Sequence, residues 1–262
     1  MNRFAGVWQF SGLVISLLIF ILGIIRDVTL AAALGLFGII LFGFLLALIA
    51  TTNAGHSRST SVESVEFLYN LSQTRSSDNL AIIDLGRRWP AITLSHHLTS
   101  GRMVVIDVYN PQLMPARSLM RSQQKHYPIM PSDPRLFWYD SNLDLLPLPD
   151  KSVSAVFMYF VLSELAEKGD QITLLNEIAR ILEPGGRLLI AEFANTLVNG
   201  LRSSLGIIQV RPYEYWRDLL EDTGYKFQRG QTMQGKTICI RADKQSPYAG
   251  SQMSLDLDFE IN

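Results

Sequence analysis

Three stretches of this chain set an acidic residue directly after an apolar run. "LAIIDLG" carries Asp84 and then Gly86, "RMVVIDVY" carries Asp107, and "RLFWYDSN" carries Asp140 with Asn142 two positions on. Each apolar run reads as a buried strand, and a carboxylate at its end can accept hydrogen bonds from hydroxyl or amino groups of a ligand. At Gly86 the first strand turns toward a helix that starts near Pro90. That is the shape of a nucleotide-cofactor loop, in which glycine permits positive φ and lets the backbone approach the ligand closely.

The elements that must position these residues follow from the pattern of the chain. From about residue 78, strand-like and helix-like segments alternate, which argues for a parallel sheet covered by helices on both faces. The helix after "LAIIDLG" is "PAITLSHHLTS", with Pro90 suited to a first turn. Asn110 followed by Pro111 reads as a cap opening a further helix to about Gln123. "ITLLNEIARILEPGG" is amphipathic, with Leu174, Leu175, Ile178, Ile181 and Leu182 on its apolar face, and "EPGG" reads as its stop. "LPLPDKSVSAVFMYF" holds the fourth strand and "RLLIAEF" the fifth. "PYEYWRDLLEDTGY" is the last helix, and "FQRGQTMQGKTICIRA" has the pattern of a terminal hairpin. The end, "SLDLDFEIN", reads as an acidic tail.

The N-terminal part is different. Val7 to Ile25 and Val28 to Ala50 carry no charge, with only Arg26 and Asp27 between them. At 1.5 Å per residue these runs give roughly 28 and 34 Å, enough for a hydrocarbon core of about 30 Å. The expectation is a transmembrane helical hairpin over residues 1–50, then a small, polar linker over 51–61, a folded domain over 62–243 and the tail over 244–262. Gly12 with Ser16, and Ala31 with Gly35, are small residues four apart that suit close helix packing. Arg3 and Arg58 flank the hairpin, which places both termini and the folded domain in the cytoplasm.

Composition excludes some classes. The formal net charge is −1 and no basic stripe is present, which argues against nucleic acid as a partner. His56, His96, His97 and His126 show no metal-ligand spacing, so no metal site is expected. Cys239 is the single cysteine and, lying in the strand-like "KTICIRA", reads as a buried core thiol.

At this point the stretch from about residue 78 to 243 resembles the class I S-adenosylmethionine methyltransferases, especially the group that includes quinone-biosynthesis enzymes. "LNEIARILEPGGRLLIAEF" is similar to that family's helix, Pro-Gly-Gly turn and fifth strand. "LPLPDKSVSAVFMYFVLSEL" and "YWRDLLEDTGYKF" are similar to the segments around its fourth strand and last helix. The resemblance implies a Rossmann-like α/β fold with a seven-stranded sheet, and S-adenosylmethionine as cofactor. It further implies a ribose contact for Asp107 and an adenine contact for Asp140 or Asn142. Asp84, Gly86 and Arg88 would shape the loop, with Tyr159, Phe160 and Ser163 after the fourth strand as candidate lining.

The loop departs from the family's acidic-x-Gly-x-Gly-x-Gly. Arg88 stands at the second glycine, Pro90 at the third, and Ser154 where the family often has aspartate. Three readings stay open: a rebuilt loop whose guanidinium meets the cofactor's carboxylate, a filled pocket that no longer binds it, or a site for another anion. The bland alternative for the two arginines is exposure to solvent or lipid headgroups. The expected function is a membrane-anchored methyltransferase acting on a lipophilic small molecule. The alternative is a non-catalytic subunit serving assembly of a membrane protein complex.

Overall fold

A computed structural model of the protein describes residues 16–22, 24–26, 29–54, 58–114, 133–196, 199–200, 203, 209–233 and 235–245. The centre is a seven-stranded sheet in the order β3-β2-β1-β4-β5-β7-β6. Its strands are β1 (Leu80–Asp84), β2 (Met103–Asp107), β3 (Leu136–Asp140), β4 (Val153–Tyr159), β5 (Leu182–Phe193), β6 (Tyr225–Met233) and β7 (Thr237–Lys244). The first five are mutually parallel, and β7 runs antiparallel between β5 and β6. The strand order reverses between β1 and β4. In open sheets of this kind, the space beyond the carboxyl ends at the reversal is where ligands settle.

Residues of β1 are buried on both faces, as a parallel strand between helix layers must be. Ala81 and Ile83 join the core on one face, and Leu80 and Ile82 the core on the other. Among the described residues, the α-helices with assigned bounds are α1 (Thr29–Ala54), α2 (Arg58–Ser72), α3 (Trp89–Ser95), α4 (Lys168–Ile181) and α5 (Tyr213–Asp222). Leu174, Leu175, Ile178 and Ile181 of α4 and Trp216, Leu219 and Leu220 of α5 fill the first core. Val65 and Leu68 of α2 and Ala91 and Leu94 of α3 fill the second. The expected apolar face of α4 is therefore its buried face.

Three elements differ in extent from the sequence reading. Leu182 pairs with Val153, so β5 begins before the Pro-Gly-Gly turn. The turn is an irregularity within the strand, with Gly185 at φ 75°, and regular pairing resumes at Arg187. The stretch read as a linker is helical at both ends, because α1 continues to Ala54 and α2 begins at Arg58. Where a helix was read from Asn110, the described residues 110–114 form a turn, in which Asn110 Oδ1 accepts the Gln112 amide at 2.9 Å. The rest of that expected helix, from residue 115 to about Gln123, and the acidic tail beyond residue 245 lie outside the described residues.

Residues 16–22 and 24–25 are helical and pack against α1. A Cβ at Gly35 would lie 2.5 Å from the Phe20 backbone nitrogen, and one at Gly38 would lie 2.5 Å from Ser16 Oγ. Small residues thus set this contact, as expected for Ser16 and Gly35; Gly12 lies outside the described residues. The expected spanning hairpin is unconfirmed. Among the described residues no helix is long and apolar enough to cross a membrane, and the side chains of α1 are described no further than Phe44.

Candidate functional site

Asp84, Asp107 and Asp140 are register partners. Asp84 pairs with Asp107 and Asp107 with Asp140, so three carboxylates stand in a row at the ends of β1, β2 and β3. Parallel strands are about 4.8 Å apart, and register partners point to the same side of the sheet. The row is therefore a direct product of three strands each ending on aspartate.

The three have different duties. Asp84 is 4% exposed, and its Oδ2 accepts the Arg88 amide at 2.8 Å, so it fastens the loop that follows β1. Asp107 Oδ1 accepts the Tyr109 amide at 3.0 Å, and its backbone carbonyl accepts the Ser141 amide at 3.0 Å. Asp107, Tyr109, Asp140, Ser141 and Asn142 line one pocket of about 470 Å³. A drug-sized ligand occupies pockets of about this volume. An ionised carboxylate offers about four acceptor positions, so Asp107 can hold the Tyr109 amide and still accept from vicinal hydroxyls. Asp140 and Asn142, left as alternatives by the sequence, both line the pocket. The donor set fits an adenosine: acceptors for ribose hydroxyls on β2 and acceptors for an amino group after β3.

The loop after β1 keeps positive φ at the first two glycine positions, although only the first of them is a glycine. Gly86 has φ 74°, and Arg88 has φ 60° at the position of the absent second glycine. A left-handed conformation costs a residue with a Cβ about 1–2 kcal/mol. Here the Asp84–Arg88 hydrogen bond and the start of α3 hold it in place. Pro90 is the second residue of α3, where a missing amide leaves no partner wanting.

From this loop the guanidinium of Arg87 turns inward. Its Nη2 lies 3.5 Å from Glu164 Oε1, and the two side chains are 14% and 5% exposed. Its Cζ lies 5.1 Å above the centre of the Phe160 ring, and that ring stacks on Phe193 at 4.4 Å. Glu164 belongs to a short 3-10 turn, Leu162–Glu164, just after β4. The ion pair therefore joins the ends of β1 and β4, the two strands between which the order reverses.

A second acid stands beside this turn. Glu192, at the end of β5, is fully buried, and its Oε1 accepts the Leu162 amide at 2.9 Å. Burial pushes its carboxyl up to about 7, against the hydrogen bonds from Leu162 and Ser163 that hold it down. Glu192 and Glu164 were not singled out in the sequence. The signal for Glu192 was present in "RLLIAEF", a fourth apolar run closing on an acid.

Tyr159 takes a different place from the one expected. It lies in the core between the sheet and α2 and α3, with Trp89 6.3 Å away, and does not line the Asp107 pocket. Its hydroxyl is buried without a hydrogen-bond partner among the described residues, and burial raises its pKa well above the usual phenol range. Cys239 is fully buried, and burial pushes its thiol up to about 12, as suits an inert core residue. Among the described residues no cluster of His, Cys, Asp and Glu is arranged for a metal ion.

Comparison with known proteins agrees with this geometry. Residues 86–190 match the family described as a methyltransferase domain. Demethylmenaquinone methyltransferase of Tropheryma whipplei (strain Twist) is 31% identical over 114 residues, 44% of this chain and 42% of that protein. The ubiquinone/menaquinone biosynthesis C-methyltransferase UbiE of Hahella chejuensis is 32% identical over 95 residues, 36% of this chain and 34% of that protein. The chain thus spans less than half the length of these curated relatives. Among solved structures, a chain from the complex of the Haloferax volcanii Trm112 methyltransferase activator and a methyltransferase superposes with a TM-score of 0.56 at 16% identity. That match covers 77% of this chain and 97% of that one. The cyclase SpnF superposes with a TM-score of 0.53 at 14% identity, covering 71% and 81%. Residues 86–190 thus match a methyltransferase domain, and the seven-stranded sheet around them has the Rossmann-like fold of the solved structures on which it superposes.

Proposed function

We propose that the chain transfers a methyl group from S-adenosylmethionine to a lipophilic small molecule at a membrane surface. The observation that carries the methyl-transfer reading is the pocket formed by Asp107, Asp140 and Asn142 beside the strand-order reversal. It lies within the residues that match a methyltransferase domain. When bound, the cofactor supplies an activated methyl group on a sulfonium. The chain supplies alignment: Asp107 and Asp140 fix the nucleoside, and the Arg87–Glu164 turn borders the far end. Alignment of this kind is worth about 7–11 kcal/mol in well-oriented reactions.

Two features support a lipophilic acceptor. The similar curated proteins are named for menaquinone and ubiquinone chemistry. The N-terminal helices also expose Leu18, Ile25, Leu30, Leu34, Phe37, Ile40 and Phe44. Those of α1 share one side of the helix, within an arc of about 120°, and make an apolar surface that a bilayer would cover. Arg3 and Arg58 flank the apolar stretch, which places both termini in the cytoplasm.

The test has two parts. Alkaline carbonate washing of native membranes should leave the chain in the pellet; release into the supernatant would refute the anchoring. Incubation with methyl-labelled S-adenosylmethionine and extracted membrane lipids should label an organic-soluble product. A folded chain that binds the cofactor and labels nothing would favour the non-catalytic subunit, and copurifying membrane proteins would then be the next object.

A further inference from the structure

A bulge in β6 moves an arginine from one face of the sheet to the other. Phe227 pairs with Ala242 and Arg229 pairs with Arg241, so Gln228 is the extra residue. Side chains of a regular strand alternate between faces, which would set Arg229 on the face of Phe227. Phe227 and Ala242 belong to the core beside α4 and α5. With Gln228 inserted, Arg229 instead shares the face of Arg241 and Cys239, the face that α2 covers.

Two arginines as register partners repel each other, because side chains directly opposite lie about 5 Å apart. Arg241 is matched. Its Nε and Nη2 donate to Asp243 at 2.9 and 3.1 Å. Its Nη1 donates to the Leu71 carbonyl at 2.9 Å and to Gln73 Oε1 at 3.1 Å. Arg229 has no hydrogen bond or ion pair among the described residues. Asp243 offsets one of the two charges, so the pair keeps one positive charge to spare. An arginine that only guards an edge strand needs no like-charged neighbour.

Between α2 and the hairpin of β6 and β7 lies a pocket of about 390 Å³. Arg229, Arg241 and the amides of Asn70, Gln73 and Gln228 line it, with Phe67 as apolar wall, and no acid is among its lining residues. Gln73 follows the end of α2 at φ 53°. Glycine is the usual residue for that conformation and a side chain strains it, but glycine would lack the carbonyl that holds Arg241. The pocket is distinct from the one at Asp107. Four strand spacings separate β2 from β7, roughly 19 Å.

We propose that this pocket is a second ligand site, which takes a phosphate group. Guanidinium and amide N–H groups match phosphate oxygens, and the fork of Arg229 can bind two of them at once. The anion would stand beside both guanidinium groups, remove their repulsion and bridge α2 to the edge hairpin. Phe67 meets the body that carries the phosphate. The same chemistry is offered by phosphate in solution and by the headgroup of an anionic lipid. The site stands apart from the methyl-transfer reading.

The experiment follows thermal unfolding of the full chain in neutral detergent. Its probes are inorganic phosphate and glycerophosphoglycerol, the headgroup of phosphatidylglycerol, each set against sodium chloride of equal ionic strength. A ligand that binds only the folded state raises the melting temperature, and at least one probe should do so beyond chloride. A lower half-saturating concentration for inorganic phosphate would assign a soluble ligand; a lower one for glycerophosphoglycerol would assign a lipid headgroup. Arg229→Gln should raise the half-saturating concentration by roughly tenfold or more, the scale of one lost charged hydrogen bond. Without probe this variant should melt no lower than the native chain, because the repulsion is gone. Arg229→Lys keeps the charge without the fork and should fall between the two. Arg217→Gln alters an exposed arginine of α5 paired with Asp218 and should leave the response unchanged. No response to either probe beyond chloride would overturn the proposal. A response that Arg229→Gln retains in full would overturn it too, as a general effect of salt on the protein surface.

Discussion

Asp107 and Asp140 stand side by side as register partners at the ends of β2 and β3 and share one pocket. Two like charges so placed repel unless a ligand or donors come between them, and the Tyr109 amide already serves Asp107. Asp107→Ala should reduce affinity for S-adenosylhomocysteine by roughly 10- to 100-fold, since hydrogen bonds to charged groups are worth about 1.5–3 kcal/mol. Asp140→Ala should cost less than Asp107→Ala, because Asn142 lines the same pocket and offers another acceptor. Titration calorimetry reads both, and an unchanged affinity in Asp107→Ala would remove the ribose contact from the site.

Glu192 makes stability depend on pH. Its carboxyl is raised from 4.5 to about 7 by burial. The folded state therefore holds its proton more tightly than the unfolded chain does. This contribution is fully present below about pH 4.5, declines as pH rises, and is gone above about 7. Glu192→Gln keeps an acceptor for the Leu162 amide and removes the ionisation. The variant should lose that decline and gain up to about 3 kcal/mol relative to the native chain above pH 7, from 1.36 kcal/mol per pH unit. Denaturant midpoints measured from pH 5 to 8 would show it; parallel pH profiles for the two proteins would place the carboxyl in an ordinary environment.

Arg180 ties α4 to the chain entering β4. Its guanidinium donates to the Leu148 carbonyl at 2.8 Å, the Leu146 carbonyl at 3.0 Å and Asp150 at 2.8 Å, while Glu177 lies alongside. These bonds hold the Glu177 carboxyl below its ordinary range. Arg180→Ala leaves two carbonyls and a half-buried acid without their donor, which should lower stability by about 2 kcal/mol. Urea unfolding would measure it, with a shift below about 0.5 kcal/mol, the usual size of a surface substitution, speaking against the role.

Gly35 admits the close approach of the two N-terminal helical segments. A side chain there meets the backbone of Phe20 rather than a movable group. Gly35→Val should separate the segments, while Gly43→Val, where a Cβ meets nothing within 4 Å, should not. Crosslinking between cysteines placed at Ser16 and Gly38 would report the separation. Equal crosslinking in both variants would show that the contact does not depend on Gly35.

What the sequence determined by itself was the set of elements and their ends. Apolar runs closing on Asp84 and Asp107 are strands largely buried between helix layers, whereas the run closing on Asp140 is the edge strand, with Phe137 and Tyr139 exposed. Their carboxylates reach the crevice because parallel strands all end on the same side. The buried face of α4 followed from helical spacing in the same way. Burial, strand direction and periodicity are local or repeating properties, so a linear reading reaches them.

The tertiary structure alone decided which groups meet. Arg87 and Glu164 are far apart in the chain and belong to loops after different strands; only the placing of β4 beside β1 brings them within 3.5 Å. The sequence pointed to Arg88 and did not foresee that its neighbour Arg87 pairs with Glu164, a contact that depends on the fold of the loop held by the Asp84 hydrogen bond and the start of α3. Tyr159 and Glu192 show the same limit. One strand end faces helices and the other faces the turn after β4, and the face that each side chain takes is set by sheet register. Register is a relation between strands, which no single segment of sequence contains.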